Sequence, residues 1–365
     1  MMVLYQCTNC RRPYPAEGAP HRCLTCGGVF GINGDLPYDP KKIDGAAQGI
    51  WRYRHAFGLP DDAPVVTLGE GETPLVEAEA FEQPVHFKLE YLNPTGSFKD
   101  RITAPEMSFL LSRGVAQAVE DSSGNAGASF AAYAARAGVR ARVFVPDYAS
   151  GPKRAQIEAY GAELVPVSGP RSNAAEAVLA EVEAGRGVYA SHAYQPFGLA
   201  GLATIAYELY EQLGQAPGTV FAPVGQGSLL LGIGLGFAAL KGAGIIAQLP
   251  KLIGVQAAAC APLWALHTLG PTGLLAVHEG ETLAEGVRIR RPVHGDAVLK
   301  MVQETGGTFL AVDEENIQAG VVDLASLGFY VEPTSAIVWD ALLPAALTEP
   351  DPVVAILTGS GLKSN

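Results

Sequence analysis

Positive charge is scarce in this chain. Its 365 residues carry 25 Lys and Arg against 37 Asp and Glu, a net charge of −12. That balance argues against general binding to nucleic acid or to an anionic membrane surface. Long apolar runs are missing too. The nearest approach, Thr219 to Leu240, carries no charge but is interrupted by Pro223, Gln226 and five glycines. A membrane-crossing helix needs about 20 continuous apolar residues, so this stretch reads as a buried strand, turn and helix. Residues Met1 to Gln6 lack the basic and apolar regions of a secretion signal, and the expected compartment is the cytoplasm. Cysteine is rare, with five in the chain and four of them before residue 27. Without an export signal, a disulfide framework is disfavoured. There are no internal repeats and no low-complexity segments.

What is present points to a large, heavily buried α/β protein: 48% of residues are apolar and 17% charged. Strands are predicted near 85–90, 116–121, 140–145, 162–167, 187–190, 219–223, 251–256 and 352–357. Helices fall between them, including an amphipathic one from Leu199 to Leu213. Strands alternating with helices imply doubly wound α/β domains with mostly parallel sheets. The expected division is a cysteine ribbon over 1–36, a larger domain over 37–104 and 205–365, and a smaller, mobile domain over 105–204.

The early cysteines form two hooks, Cys7-x-x-Cys10 and Cys23-x-x-Cys26. Each hook brings two thiolates to one turn, the arrangement of a tetrahedral metal site, with Zn2+ the default ion. Four thiolates close the shell, so a structural zinc is expected, with His21 as a minor alternative ligand. Cys260, set among small apolar residues, reads as an inert buried thiol.

Four strand-to-turn segments carry the chemistry. In Asn93-Pro94-Thr95-Gly96-Ser97-Phe98-Lys99-Asp100-Arg101, Ser97 is the expected helix cap, which puts Lys99 in the first turn. There the helix dipole disfavours an ammonium, and a neutral amine can attack an aldehyde. The alternative is a surface lysine in an ion-pair network. Asp121-Ser122-Ser123-Gly124-Asn125-Ala126-Gly127 opens a second helix and offers the Asn125 amide, which could also serve only as a cap. Pro223-Val224-Gly225-Gln226-Gly227-Ser228-Leu229 exposes backbone N–H groups at a helix start, a geometry suited to phosphate. Leu357-Thr358-Gly359-Ser360-Gly361 offers a hydroxyl at a strand's carboxyl end, where open α/β sheets collect ligands. An amine, an amide, a phosphate cradle and a hydroxyl together match pyridoxal 5′-phosphate, which has an aldehyde, a ring oxygen, a phosphate and a ring nitrogen.

On these motifs the chain resembles the threonine synthase family of fold type II pyridoxal-phosphate enzymes. Leu68-Gly69-Glu70-Gly71-Glu72-Thr73-Pro74-Leu75, Glu332-Pro333-Thr334-Ser335-Ala336 and Thr358 to Lys363 extend the resemblance over nearly the whole chain. The resemblance implies that Lys99 links to the cofactor aldehyde and shuttles protons. It also implies that Asn125 contacts the ring oxygen, that Gly225, Gln226, Gly227, Ser228 and Leu229 hold the phosphate, and that Thr358 contacts the ring nitrogen. Ser122, Ser123 and Gly124 would bind the substrate carboxylate, and the partner would be a small amino-acid substrate, with a homodimer as the assembly. The implied reaction converts O-phospho-L-homoserine and water to L-threonine and phosphate. The chain departs from the family pattern at Ile102, Ala126, Ser168 to Ala174, Gln195 and Ser360. Tyr194-Gln195-Pro196-Phe197, with the family's substrate asparagine lost, leans toward a serine or threonine dehydratase. A cysteine-synthase-like β-replacement enzyme is a second alternative, and a non-catalytic binding protein a third. Arg154 and Arg171 are candidate anion partners, and His192 and Tyr194 lie at a strand end where they face the proposed cleft or serve packing alone.

Overall fold

Twelve strands and eleven helices follow one another in the computed structural model, which describes residues 4–148, 151–345 and 349–364. The strands are β1 (Tyr5–Cys7), β2 (Phe30–Ile32), β3 (Leu75–Ala80), β4 (Gln83–Lys88), β5 (Gln117–Glu120) and β6 (Arg140–Pro146). They continue as β7 (Glu163–Val167), β8 (Val188–Tyr189), β9 (Thr219–Pro223), β10 (Lys251–Ala257), β11 (Thr308–Val312) and β12 (Val353–Ile356). Helices that bear on the site are α1 (Lys99–Ser112), α2 (Asn125–Ala137), α3 (Pro152–Ala159), α4 (Arg171–Glu183), α5 (Gly198–Leu213) and α6 (Ser228–Gly242).

The chain forms two compact units. Unit 1 holds residues 1–71 and 93–201, and unit 2 holds 72–92 and 202–364. The sequence-based boundaries at 104/105 and 204/205 lie elsewhere. The first would cut α1 through its own hydrogen-bonded turns, and the structure instead keeps that helix whole within unit 1. The first 36 residues belong to unit 1 as well.

Unit 1 is built on a parallel four-stranded sheet in the order β7-β6-β5-β8. Its ribbon is the short antiparallel pair β1–β2, with Tyr5 opposite Ile32 and Cys7 opposite Phe30. The Glu70 carboxylate ties the segment before the first unit boundary to the core. It accepts hydrogen bonds from Trp51 Nε1 (2.8 Å), Leu68 N (3.0 Å) and Tyr133 Oη (2.6 Å).

Unit 2 carries a six-stranded sheet ordered β11-β10-β9-β12-β4-β3, parallel except for the β3–β4 hairpin. Its central strands β9 and β12 are buried along their whole length. Parallel strands covered on both faces need such continuous apolar runs. Thr219 to Leu240 resolves into β9, a turn and α6, as its glycines required. No helix among the described residues is long and apolar enough to cross a membrane. In unit 2 the buried Lys88 ammonium meets Glu208 Oε2 at 2.7 Å and donates to the Thr73 carbonyl at 2.6 Å. That pairing gives a charge inside the sheet the compensation burial demands.

Candidate active site and four-cysteine centre

Lys99 is the first residue of α1, half-buried, with Nζ 4.4 Å from the centre of the Phe98 ring. Ser97 does not cap the helix. Phe98 occupies the cap position, and the Ser97 hydroxyl is buried with no hydrogen-bond partner among the described residues. The reason is Asp100. Its buried carboxylate accepts from Thr95 N at 2.7 Å, Thr95 Oγ1 at 2.6 Å and Ser129 Oγ at 2.7 Å. The turn before Lys99 is thus anchored by the residue after it, and Ser129 brings the first turns of α1 and α2 together.

Asn125 opens α2 after Gly124. The loop before it is too close to the helix for any side chain at 127. A Cβ there would stand 1.9 Å from the Ser122 carbonyl oxygen. Ser122 is buried, and its hydroxyl accepts from Gly124 N at 3.2 Å, while Ser123, Gly124 and Asn125 are partly exposed.

Behind this loop lies a buried acidic cluster that the sequence reading missed, although Glu120 and Asp121 stand adjacent at the carboxyl end of β5. Glu120 accepts from Asp121 N and from Ser122 N (3.0 Å), and its other oxygen lies 3.1 Å from His192 Nδ1. Tyr189 Oη donates to Asp121 Oδ1 at 2.7 Å. Burial raises the carboxyl pKa of Glu120, and it pushes Asp121 up to about 6, reinforced by the Glu120 charge. Glu106 on α1 is driven well above the usual carboxylate range by burial and then by Glu120. His192 moves the other way, well below its ordinary value, through burial and then the Lys99 charge. The imidazole is therefore neutral near pH 7 and within electrostatic reach of Lys99. Arg171, at the start of α4, counteracts the raised pKa of Glu120 and Asp121, whereas Arg154 pairs with Glu158 on α3 at 3.7 Å.

In unit 2, β9 ends at Pro223 and the turn Gly225–Gly227 leads into α6, with Gly227 in the cap position at φ +91°. That positive φ suits glycine. A Cβ at Gly225 would lie 2.8 Å from the Gly286 carbonyl oxygen. Gln226 braces the turn from outside: its Oε1 accepts from Val293 N at 2.9 Å and its carbonyl from His294 N at 3.1 Å. The N–H groups at the start of a helix have no partner within the helix, so the first turn of α6 has the geometry that suits a phosphate. Thr358 follows β12, which runs parallel to β9 with Ala355 opposite Phe221. The two loops therefore leave the sheet at the same end. Thr358 N donates to Ser335 Oγ at 2.6 Å, and Gly359 O accepts from Glu332 N at 3.0 Å, so the two C-terminal motifs meet. The Thr358 hydroxyl itself is buried and has no hydrogen-bond partner among the described residues.

Each half fits pyridoxal phosphate. Unit 2 offers a glycine cradle and a buried hydroxyl in want of a partner, and unit 1 offers an amine and an amide at adjacent helix starts.

The four early cysteines do converge. The sulfurs of Cys7, Cys10, Cys23 and Cys26 all lie within 4.8 Å of one another, with Cys7–Cys26 at 3.5 Å and Cys10–Cys23 at 3.6 Å. A tetrahedron with metal–sulfur bonds of about 2.3 Å has sulfurs about 3.8 Å apart, so the four atoms match one tetrahedral ion. All four are free thiols, which leaves no disulfide pairing here. Backbone N–H groups of Thr25 and Cys26 pull the Cys23 thiol down to about 6, favouring the thiolate a metal needs. Only glycine fits at position 28, where a Cβ would lie 2.8 Å from Cys7 Sγ. His21 stands outside this set, its ring edge-on to Tyr189 with centroids 5.2 Å apart. Cys260 is buried, as expected, and burial raises its pKa.

Residues 66–359 match the family model of pyridoxal-phosphate dependent enzymes. The chain is 33% identical to threonine synthase of Methanocaldococcus jannaschii, over 99% of this chain and 93% of the relative. It is 36% identical to threonine synthase of Synechocystis sp., over 86% of this chain and 82% of the relative. Among solved structures, a T.th. threonine deaminase superposes with a TM-score of 0.66 at 26% identity, covering 79% of this chain and 92% of that one. The lysine turn, the asparagine loop, the glycine cradle and the lone threonine hydroxyl all fall within the matched span, and the chain belongs to the pyridoxal-phosphate-dependent enzymes, as a threonine-synthase-like lyase.

Proposed function

We propose that the protein converts O-phospho-L-homoserine and water to L-threonine and phosphate. When bound, pyridoxal phosphate supplies an electron sink for the pair released as a C–H bond beside the amino group breaks. Lys99 takes the proton from substrate Cα and later returns one there. A Cβ proton must also leave as phosphate departs from Cγ, and a proton must then be delivered to Cγ, which becomes the methyl group. Water then adds at Cβ. The place of Lys99 at a helix start favours the neutral amine this needs. Backbone N–H groups from Gly225 to Leu229 hold the cofactor phosphate, while Gln226 keeps their turn in shape. Asn125 contacts the ring oxygen, and Thr358 meets the ring nitrogen with a neutral hydroxyl that leaves it largely unprotonated. Ser122, Ser123 and Gly124 receive the substrate carboxylate.

The observation that most supports this assignment of roles is the buried, unpartnered Thr358 hydroxyl at the end of β12. A buried polar group without a partner costs stability, on the order of 1–3 kcal/mol, and the ring nitrogen would supply one.

A dehydratase that turns serine or threonine into a keto acid and ammonia is the second reading, suggested in the sequence by Tyr194-Gln195-Pro196-Phe197 and the lost asparagine. Gln195 no longer argues for it. Its side chain is buried and donates to the Tyr189 carbonyl at 3.0 Å, a structural use. Purified protein with O-phospho-L-homoserine, threonine, serine or O-acetylserine separates the cases. Phosphate release with threonine formation is expected. Keto acid from threonine with no turnover of phosphohomoserine would overturn the reading.

The cysteine centre is read as a structural zinc site, closed by four thiolates and without an open position for catalysis. One zinc per chain is the expected analysis. A homodimer, a cytoplasmic location and the absence of nucleic-acid or membrane partners complete the reading.

A further inference from the structure

We propose that the four-cysteine ribbon clamps the loop 189–197 and that Arg22, beside Cys23, is a positioning residue for His192. The contacts run from the metal-binding hook to the site loop without a gap. Arg22 Nη1 donates to the Gly27 carbonyl at 3.0 Å, spanning its own hook. Its Nη2 donates to Tyr194 Oη at 3.0 Å, and the guanidinium lies 4.5 Å from the centre of that ring. His21 sets its ring edge against both Tyr189 and Tyr194. Tyr14 Oη lies 3.0 Å from the Pro20 carbonyl and 3.3 Å from Gln195 Oε1. Gln195 Nε2 in turn reaches back to the Ala19 carbonyl at 3.4 Å. The loop is thus held at 194 and 195 by the strand of ribbon between the two hooks.

The same loop carries the chemistry inward. His192, two residues before Tyr194, meets Glu120 at 3.1 Å, and Glu120 accepts from Ser122 N at the base of the asparagine loop. Within the loop, Tyr194 N and Gln195 N share the Ser191 carbonyl and Gln195 Nε2 donates to the Tyr189 carbonyl at 3.0 Å, while Ala190 N donates to Val119 O. Between β8 and α5 it has no regular structure, and the ribbon adds the side-chain contacts at 194 and 195. The ribbon in turn has a core of only Cys7, Cys23 and Phe30 with Tyr14 against it. A core that small needs the metal to stay folded. Metal in the cysteine centre therefore stabilises the position of His192 through Arg22, Tyr194 and Gln195.

The clamp itself is a claim about contacts within unit 1, and its catalytic consequence rests on the reading of Lys99 and Asn125 given above. Hydrogen exchange of the full-length holoenzyme, followed by mass spectrometry, tests it. Chelator removal of zinc is expected to speed exchange in peptides covering 189–197 by about fivefold or more, while α2 peptides keep their rate. Arg22→Met, at an exposed position, is expected to retain zinc and bound cofactor and to speed exchange over 189–197 by about fivefold, through the loss of its charge-assisted hydrogen bond to Tyr194 and its ring contact there, beside the loss of its bond to the Gly27 carbonyl within the hook. Its KM for the amino-acid substrate should rise with little change in the visible absorbance of the cofactor. Should zinc removal loosen the whole of unit 1, Arg22→Met alone decides. Wild-type exchange over 189–197 in that variant would overturn the clamp, even if activity fell. Faster loop exchange in a protein that forms no threonine would leave the clamp standing and sink the substrate assignment instead.

Discussion

The two units hold their site residues by different means. In unit 1, Lys99, Asn125 and His192 are set by charged and hydroxyl side chains: Asp100 gathers three donors, and Glu120 joins His192 to the Ser122 loop. In unit 2 the glycine turn is shaped by backbone approach and braced by Gln226, and the Thr358 hydroxyl has no internal partner among the described residues. The difference follows the chemistry. Proton transfer needs titratable groups whose charge is tuned by neighbours, whereas a phosphate needs N–H dipoles brought close with no side chain in the way. Perturbing unit 1 should therefore change proton transfer and stability together, and perturbing unit 2 should change cofactor affinity alone.

Four substitutions sharpen or break that contrast. Lys99→Ala should lower turnover by at least about 10⁴-fold and remove the visible band of bound cofactor, with the fold intact by circular dichroism. Full activity in this variant would end the assignment of unit 1. Asp100→Ala leaves three donors without their acceptor and should destabilise the protein by about 3 kcal/mol in urea unfolding, with slower turnover. A stable, fully active variant would show that the anchor is dispensable.

Asp121 tests the tuned charges. Its folded pKa of about 6 lies above the ordinary aspartate value, so the unfolded chain releases this proton first. Its contribution is present below about pH 4 and is lost as pH rises through about 6. Asp121→Asn should therefore gain on the wild type toward neutral pH, by about 2 kcal/mol between pH 4 and 7.5. A gap that stays constant with pH would remove the buried acid pair from the account. The smallest effect belongs to unit 2. Thr358→Val should weaken cofactor binding about tenfold while leaving the cofactor-free protein at least as stable as before, since the hydroxyl has no internal bond to lose and its unpaired burial is relieved. A loss of stability without cofactor would reveal a structural role for that hydroxyl and blur the contrast.

Much of the fold was legible in advance. The expected strands at 140–145, 162–167, 219–223 and 251–256 appear as β6, β7, β9 and β10 within a residue or so of their ends, and α5 begins one residue earlier than expected. These are apolar runs bounded by glycine, proline or polar turns, where local pattern and tertiary burial agree. The misses share a cause. β3 joins β4 through Phe81 and Glu82, both at positive φ. Neither is the asparagine or glycine that announces a tight hairpin, so nothing local marked the turn. β11 is an edge strand that pairs only with β10, and its identity comes from that distant partner.

Residue types at turns were enough to point to the family and its cofactor. A lysine at a helix start and an asparagine, a glycine pair and a threonine in turns that follow strands pointed to the cofactor, and two cysteine hooks pointed to the four-cysteine cluster. Those signals are local because each group must meet its ligand from a short, defined turn. Which groups sit behind them was decided only by the tertiary structure. Asp100 displaced Ser97 as the anchor of the lysine turn, and His192 found Glu120 across 72 residues. Burial and long-range neighbours set those roles, and a pKa or a hydrogen bond made at such sequence distance leaves no periodic trace in the chain.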